Sequence, residues 1–168
     1  MPPDGTWRYQ WPAGTRFLAE IDALLTVAGR RVIDLGCGQG RLGRWALGAG
    51  AAEVLFADHS AEALALIPEL PGARRLLHAW GEPLPPCDVL LGGDILYRPA
   101  LFPQLLDSVA SALATPDAVA WLVDPRPSLE PELPQLAAER GLRWDSRRRA
   151  SGYTLVCTGL PPCGSRVV

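Results

Sequence analysis

Three glycines at alternate positions, Gly36, Gly38 and Gly40, follow directly on the short β-branched run Arg31-Val-Ile-Asp-Leu35. A strand that ends in such a turn can bring its backbone close to a ligand, because no Cβ stands in the way. The segment after the turn, Leu42 to Ala49, can continue as a helix whose first N–H groups are free to receive ligand oxygens. A second apolar run, Glu53-Val-Leu-Phe-Ala-Asp58, ends in an acid about 20 residues further on, where a carboxylate can accept both hydroxyls of a ribose. Together these residues specify a nucleoside site at the carboxyl ends of neighbouring strands.

Spacing and charge narrow the choice of nucleoside. The dinucleotide fingerprint G-x-G-x-x-G, begun at Gly36, puts Arg41 where its third glycine should pack helix against strand, which is a poor fit. Asp34, just ahead of the glycines, would repel a pyrophosphate but suits a ligand bearing an α-ammonium group. S-adenosylmethionine carries that ammonium and has no phosphate. The residues resemble the first motif, D-x-G-x-G-x-G, of class I seven-strand S-adenosylmethionine-dependent methyltransferases. Asp34, Gly36, Gly38 and Gly40 stand at its positions, and Asp58 stands at the acid that closes the second strand. The resemblance implies a Rossmann-like α/β fold with helices on both faces of a mostly parallel sheet, and S-adenosylmethionine as cofactor.

Other segments resemble one branch of that family, which includes protein-lysine methyltransferases of the electron-transfer-flavoprotein β-subunit type. Tyr9-Gln-Trp-Pro-Ala-Gly14 is similar to its W-P-x-G segment, Gly93-Asp-Ile-Leu-Tyr97 to its D-x-x-Y motif, and Val123-Asp-Pro-Arg-Pro127 to its D-P-x-R-P motif. The resemblance puts Trp11 beside the cofactor and makes Asp94 and Tyr97 the candidate catalytic pair. Where the branch has an Asp-Trp pair after its third strand, this chain has Ala79-Trp80, so the acid is missing and Trp80 alone is the candidate neighbour of the adenine. The implied activity is methylation of a lysine side chain on a protein, with a small-molecule amine as the alternative acceptor.

Methyl transfer from a sulfonium is an in-line displacement, so the protein must align the nucleophile and keep it unprotonated. For an amine of pKa about 10.4 this calls for desolvation and an acceptor that orients the neutral nitrogen, a role open to Asp94 with Tyr97 as pocket wall. Asp94 would equally serve as a cap for the segment after it, and Tyr97 and Trp11 as packing residues. Asp124 and Arg126 could recognise substrate or pair with each other. His59 and His78 form no dyad with a cysteine or serine at a recognised spacing. A nicotinamide-dependent oxidoreductase, or a nucleotide-binding module without catalysis, is the competing reading of the glycine turn.

These residues need a scaffold, and hydrophobic periodicity outlines one. Strands are predicted at Arg31–Leu35, Glu53–Asp58, Arg75–Ala79, Asp88–Gly92, Val119–Val123 and Tyr153–Cys157. Helices are predicted at Thr15–Ala28, Leu42–Ala49, Ala61–Ile67 with Ser60 as N-cap, Leu101–Leu113 and Glu132–Arg140. The link from His78 to Cys87 is too short for a full crossover, so one helix should be missing there. The Arg147-Arg-Arg149 run reads as a solvated edge near a late strand.

The 168 residues, 48% of them hydrophobic, suit a single domain, 1–168, with one core. A formal charge of −2 creates no global positive field, so nucleic acid is not the expected partner. Sixteen basic residues without a lysine reflect compositional bias. Four cysteines without a C-x-x-C pair point to reduced thiols rather than to a metal site or a disulfide framework. With no basic-apolar leader and no long apolar run, a cytoplasmic location and no membrane partner are expected.

Overall fold

The computed structural model describes residues 5–9, 11–113, 115–125, 132–149 and 152–159, and side chains for little of the last segment. Five strands run parallel: β1 (Arg31–Leu35), β2 (Glu53–Asp58), β3 (Ala73–Leu77), β4 (Val89–Gly93) and β5 (Val119–Asp124). Two more, β6 (Leu142–Arg149) and β7 (Gly152–Gly159), form an antiparallel pair. The seven-stranded order is β3-β2-β1-β4-β5-β7-β6, with β7 antiparallel to β5.

The central strands read as largely apolar runs because both of their faces are covered, and side chains alternate between two cores. Ile33, Leu35, Leu55 and Ala57 point to a core closed by α4 (Phe102–Ala112) and α5 (Leu133–Ala138), through Phe102, Leu105 and Leu133. Val32, Val54 and Phe56 point the other way, to α1 (Pro12–Phe17), α2 (Arg41–Gly48) and α3 (Ala61–Ala65). Ser60 caps α3, its hydroxyl accepting from the Ala63 N–H at 3.2 Å. No helix links β3 to β4, as the short connection predicts.

Two expectations are corrected. The single helix expected over Thr15–Ala28 is instead α1, starting earlier with Pro12 in its first turn, followed by a 3-10 turn at Ile21–Ala23. Phe17 and Ile21 are fully buried while Leu24 and Leu25 are only partly so, so the segment bends across the core instead of laying one stripe along it. β6 was expected only as an edge near the arginine run, not as a strand. It is an outer strand with few buried positions, so Arg147 to Arg149 lie on it without an apolar alternation to announce them. No helix among the described residues is long and apolar enough to cross a membrane.

Candidate functional site

In this order the chain leaves β1 for β2 on one side and places β4 on the other, so a crevice opens beyond the carboxyl ends of β1 and β4. The glycine turn fills one wall of it. Gly38 has φ 49°, and a Cβ there would meet only Trp7, 3.7 Å from its carbonyl oxygen, so backbone conformation rather than crowding favours glycine. At Gly43, inside α2, a Cβ would collide with the Phe56 ring. Gly38, Gly40 and Gly43 therefore form G-x-G-x-x-G two residues later than the register read from the sequence. Gly43, not position 41, packs helix against strand. Arg41 instead starts α2, and its Nη1 donates to Thr15 Oγ1 at 2.8 Å.

Two buried carboxylates hold this turn in shape. Asp34, 2% exposed, accepts the Gly43 N–H through Oδ2 at 2.8 Å. Burial pushes its pKa up from 3.8 to about 8, against the lowering pull of the Gly43 hydrogen bond and with a small further rise from Asp58. Asp58, 4% exposed, accepts the Gly38 N–H through Oδ2 and the Ser60 N–H through Oδ1, each at 2.9 Å. His59 Nδ1 lies 3.3 Å from Asp58 Oδ1.

Asp94 follows β4 with φ 56°, in the left-handed region that costs a non-glycine residue of order 1–3 kcal/mol. Its carboxylate accepts the Gly14 N–H at 2.8 Å and the Ala13 N–H at 3.3 Å, spanning 80 and 81 residues of sequence. The W-P-x-G and D-x-x-Y segments are thus one structural unit. A Cβ on Gly93 would press to 3.2 Å of the Gly14 Cα, so the backbones meet closely there. Asp94 therefore anchors the start of α1, a helix that precedes it, and the 3-10 turn after it, Pro99–Leu101, has Arg98 at its N-cap position. Asp124 is also buried, its Oδ2 accepting the Leu96 N–H at 3.2 Å. Arg126 and Pro127, and Gln10 of the first segment, lie outside the described residues.

Aromatic residues close the crevice. Trp11, 48% exposed, lines it on both sides of the Gly36–Asp94 gap, its Nε1 donating to the Thr6 carbonyl at 3.0 Å. Trp80 and Tyr97 sit with ring centroids 6.1 Å apart, and the Arg98 guanidinium lies 5.2 Å from the Tyr97 ring centre. Beyond them a cavity of about 320 Å³ is bounded by His59, Ala79, Trp80, Tyr97, Arg98 and Leu101. The structure thus brings Asp34, Gly36, Gly38, Trp11 and Asp94 together along one stretch of the crevice, and Asp58, Trp80 and Tyr97 along the adjoining one. Gly40 is set back, against Phe56 and Ile67. Trp7, His78 and Gly43 belong to the same region and were not anticipated from the sequence.

The insertion of antiparallel β7 between β5 and β6 departs from the all-parallel order 3-2-1-4-5-6 of dinucleotide-binding domains. A family model described as a methyltransferase small domain matches residues 10–73, the stretch from α1 to the start of β3. Among solved structures, a TehB-like S-adenosylmethionine-dependent methyltransferase from Corynebacterium glutamicum is 20% identical, with 84% of this chain and 86% of that one covered and a TM-score of 0.70. The fold is that of an S-adenosylmethionine-dependent methyltransferase. A ribosomal protein L11 methylase from Lactobacillus delbrueckii subsp. bulgaricus matches this methyltransferase fold at 19% identity, covering 88% and 80% of the two chains with a TM-score of 0.70. An RNA methyltransferase so described from Pyrococcus horikoshii is 16% identical, with coverage of 97% and 91% and a TM-score of 0.73. No curated protein is matched by sequence.

The crevice fits S-adenosylmethionine by chemistry. It offers a buried carboxylate on each side of a glycine turn, backbone that approaches without side chains, and aromatic surface beside the second carboxylate. It also holds buried polar atoms that await a partner, Trp7 Nε1 and His78 Nδ1. Neither buried thiol competes as a nucleophile: burial pushes Cys37 far up and Cys87 up to about 12.

Proposed function

We propose that this methyltransferase places its methyl group on an amine nitrogen, with the lysine side chain of a protein as the acceptor. The observation that carries the proposal is the junction of Asp94 with Ala13 and Gly14 at the switch point of the sheet. It makes Asp94, strained at φ 56°, a fixed polar residue of the crevice, which the glycine turn also lines. In this reading Asp34 faces the α-ammonium of the cofactor and Asp58 its ribose hydroxyls. Gly36, Gly38 and Gly40 shape the turn, and Trp11 and Trp80 flank the bound nucleoside.

The cofactor supplies a methyl group already activated on a sulfonium. What this chain adds is position and protonation state. The Ala13 and Gly14 N–H groups, one on each Asp94 oxygen, fix the carboxylate in the orientation from which it would act on a neutral amine. Tyr97 walls the approach, and the Arg98 guanidinium stacked on it disfavours a second positive charge, which favours the unprotonated nucleophile.

The cavity beyond Tyr97 has room for an aliphatic side chain entering from outside. Its volume of about 320 Å³ also supports a second reading, a small-molecule amine, since ligand pockets begin at roughly 300 Å³. The test is to incubate host lysate with the enzyme and methyl-labelled cofactor, then fractionate. Label on a protein lysine, located by mass spectrometry, is the expected result. Label confined to small molecules would select the second reading, and label confined to RNA would overturn both.

A further inference from the structure

The outer strand of a sheet carries a row of unpaired N–H and C=O groups, which proteins blunt with short strands, prolines, bulges or charges. β6 has only the last of these. It is eight residues long, contains no proline and pairs with β7 in an unbroken register from Leu142 to Arg149. Among the described residues no strand pairs with its outer edge. Its charge is one-sided: Arg143, Arg147, Arg148 and Arg149 stand against Asp145 alone, in a chain whose formal charge is −2. The opposite edge of the sheet differs. β3 has five residues, and both of its arginines are engaged within the fold, Arg74 by Glu53 at 3.0 Å and Arg75 by the Ile67 carbonyl.

Alternation along β6 divides the three consecutive arginines between two faces. Arg149 is half-buried, its guanidinium 5.9 Å from the centre of the Trp121 ring. Arg147 holds Asp145 at 2.7 Å, a half-exposed pair of the kind that contributes little. Arg148 is exposed, and no acid among the described residues lies within ion-pair distance of it. A basic strand laid against this edge would meet like charge, and a neutral one would leave the arginines unmatched. An acidic strand would match them.

Resting on the protein-acceptor reading above, we propose that the free edge of β6 is the docking strand for the methyl-accepting protein: an extended acidic segment of that protein adds beside β6 through main-chain hydrogen bonds, and its carboxylates meet Arg147 and Arg148. Strand addition divides the work in this way, with the main chain giving affinity and the side chains selecting the partner. A nucleic acid would feel the same charges but has no strand to add. The placement suits a substrate. Arg147 shares a row with Thr154, Val123 and Gly93, the residue before Asp94, so three strand spacings of about 4.8 Å separate β6 from the crevice. An added strand lies one spacing further out, roughly 19 Å away, and about six extended residues would carry the chain from it to Asp94.

Fluorescence polarisation of the whole protein tests the surface, with a labelled Glu-Thr repeat octapeptide as the probe and a Lys-Thr repeat and a uridine octamer as the other arms. The glutamate probe should bind and the other two should not. The double reversal Arg147→Glu/Arg148→Glu should weaken the glutamate probe by about tenfold. Hydrogen exchange followed by NMR should show alternate β6 amides, those facing outward, slowed when the probe is bound. In host lysate with methyl-labelled cofactor, the double variant should label protein several times less than wild type while binding S-adenosyl-L-homocysteine equally well. A glutamate probe that does not bind, bound probe with β6 amides exchanging as before, the uridine octamer binding in its place, or undiminished protein label would each overturn the proposal. Wild-type label on no protein at all would overturn the acceptor reading itself, and this inference with it.

Discussion

Asp34→Asn should make the protein more stable and its cofactor weaker at the same pH. The carboxylate is 2% exposed, and burial raises its pKa from 3.8 to about 8 although the Gly43 N–H holds it down. Its folded pKa thus exceeds the unfolded one, so between about pH 4 and 8 the folded protein binds more protons at this site than the unfolded chain. The stability it contributes is complete below about pH 4 and is lost as pH rises to about 8, at up to roughly 1.4 kcal/mol per pH unit. Across the window this reaches several kcal/mol, a large part of the about 5–15 kcal/mol that holds a domain together. Asparagine does not ionise, and its carbonyl can still accept from Gly43. Wild type and variant should therefore melt together near pH 4.5 and separate above it. By pH 8 the variant should lead by a few kcal/mol, at about 2–4 °C in Tm for each.

Binding should move the other way. A cation seated beside Asp34 draws the carboxylate into its ionised form, so wild-type affinity for S-adenosyl-L-homocysteine should rise from pH 6 to 8 with release of a proton. The asparagine variant should bind more weakly with a flatter profile. Thermal melts and calorimetry across this range, in buffers of different ionisation enthalpy, read both halves. Superimposable pH–stability curves would refute the burial argument, and unchanged affinity would refute the assignment of the ammonium to Asp34.

Asp58→Ala should weaken the same ligand by about 1.5–3 kcal/mol in calorimetry, through the lost ribose acceptor and through release of the Gly38 and Ser60 N–H groups it holds. Gly38→Val should abolish binding with a modest fall in Tm, because only φ 49° and the Trp7 contact oppose the side chain. Gly43→Ala should do the reverse and cost stability first, by about 1–3 kcal/mol in urea titration, since its Cβ meets Phe56. Asp94→Asn, which keeps an acceptor for Gly14 and tolerates φ 56°, should lower kcat on the identified substrate far more than it changes cofactor Kd; Asp94→Ala should lower Tm as well. A full-rate asparagine enzyme would leave Asp94 a purely structural anchor.

The parts of the fold legible in the sequence are those whose two faces are buried. β1, β2, β4 and β5 announce themselves because most of each run is buried on both faces and apolar, and the acids and glycines in or after them, Asp34, Asp58, Gly93 and Asp124, are explained by the crevice. β6 is silent for the complementary reason: one edge and much of both faces meet solvent, so Leu142-Arg-Trp-Asp-Ser-Arg-Arg-Arg149 carries no period. The register of the glycines misleads differently. Gly36, Gly38 and Gly40 all take positive φ, but a Cβ at Gly36 would also meet Ile95 and one at Gly40 would meet Ile67 and Phe56, whereas at Gly38 backbone conformation alone decides. Gly43, three residues into α2, completes the packing set and is visible only if the count begins at Gly38.

The site was harder to read because its partners are distant in sequence, yet one signal was present. α1 begins Trp11-Pro-Ala-Gly, with Trp11 at the N-cap, a residue that offers the helix no oxygen, and no side chain from its own turn accepts the first N–H groups. Such a helix start, once buried, has to borrow an acceptor from elsewhere in the chain. An acid just after a strand, in a Gly-Gly-Asp turn where a left-handed conformation is available, is the kind of residue that can lend one, and Asp94 does so. Read this way, a missing cap at position 11 and a strained acid at position 94 are two halves of one constraint. Because Asp94 cannot leave α1 unsupported, its carboxylate is held at the mouth of the crevice before any ligand arrives, which is the preorganisation a methyl acceptor would require.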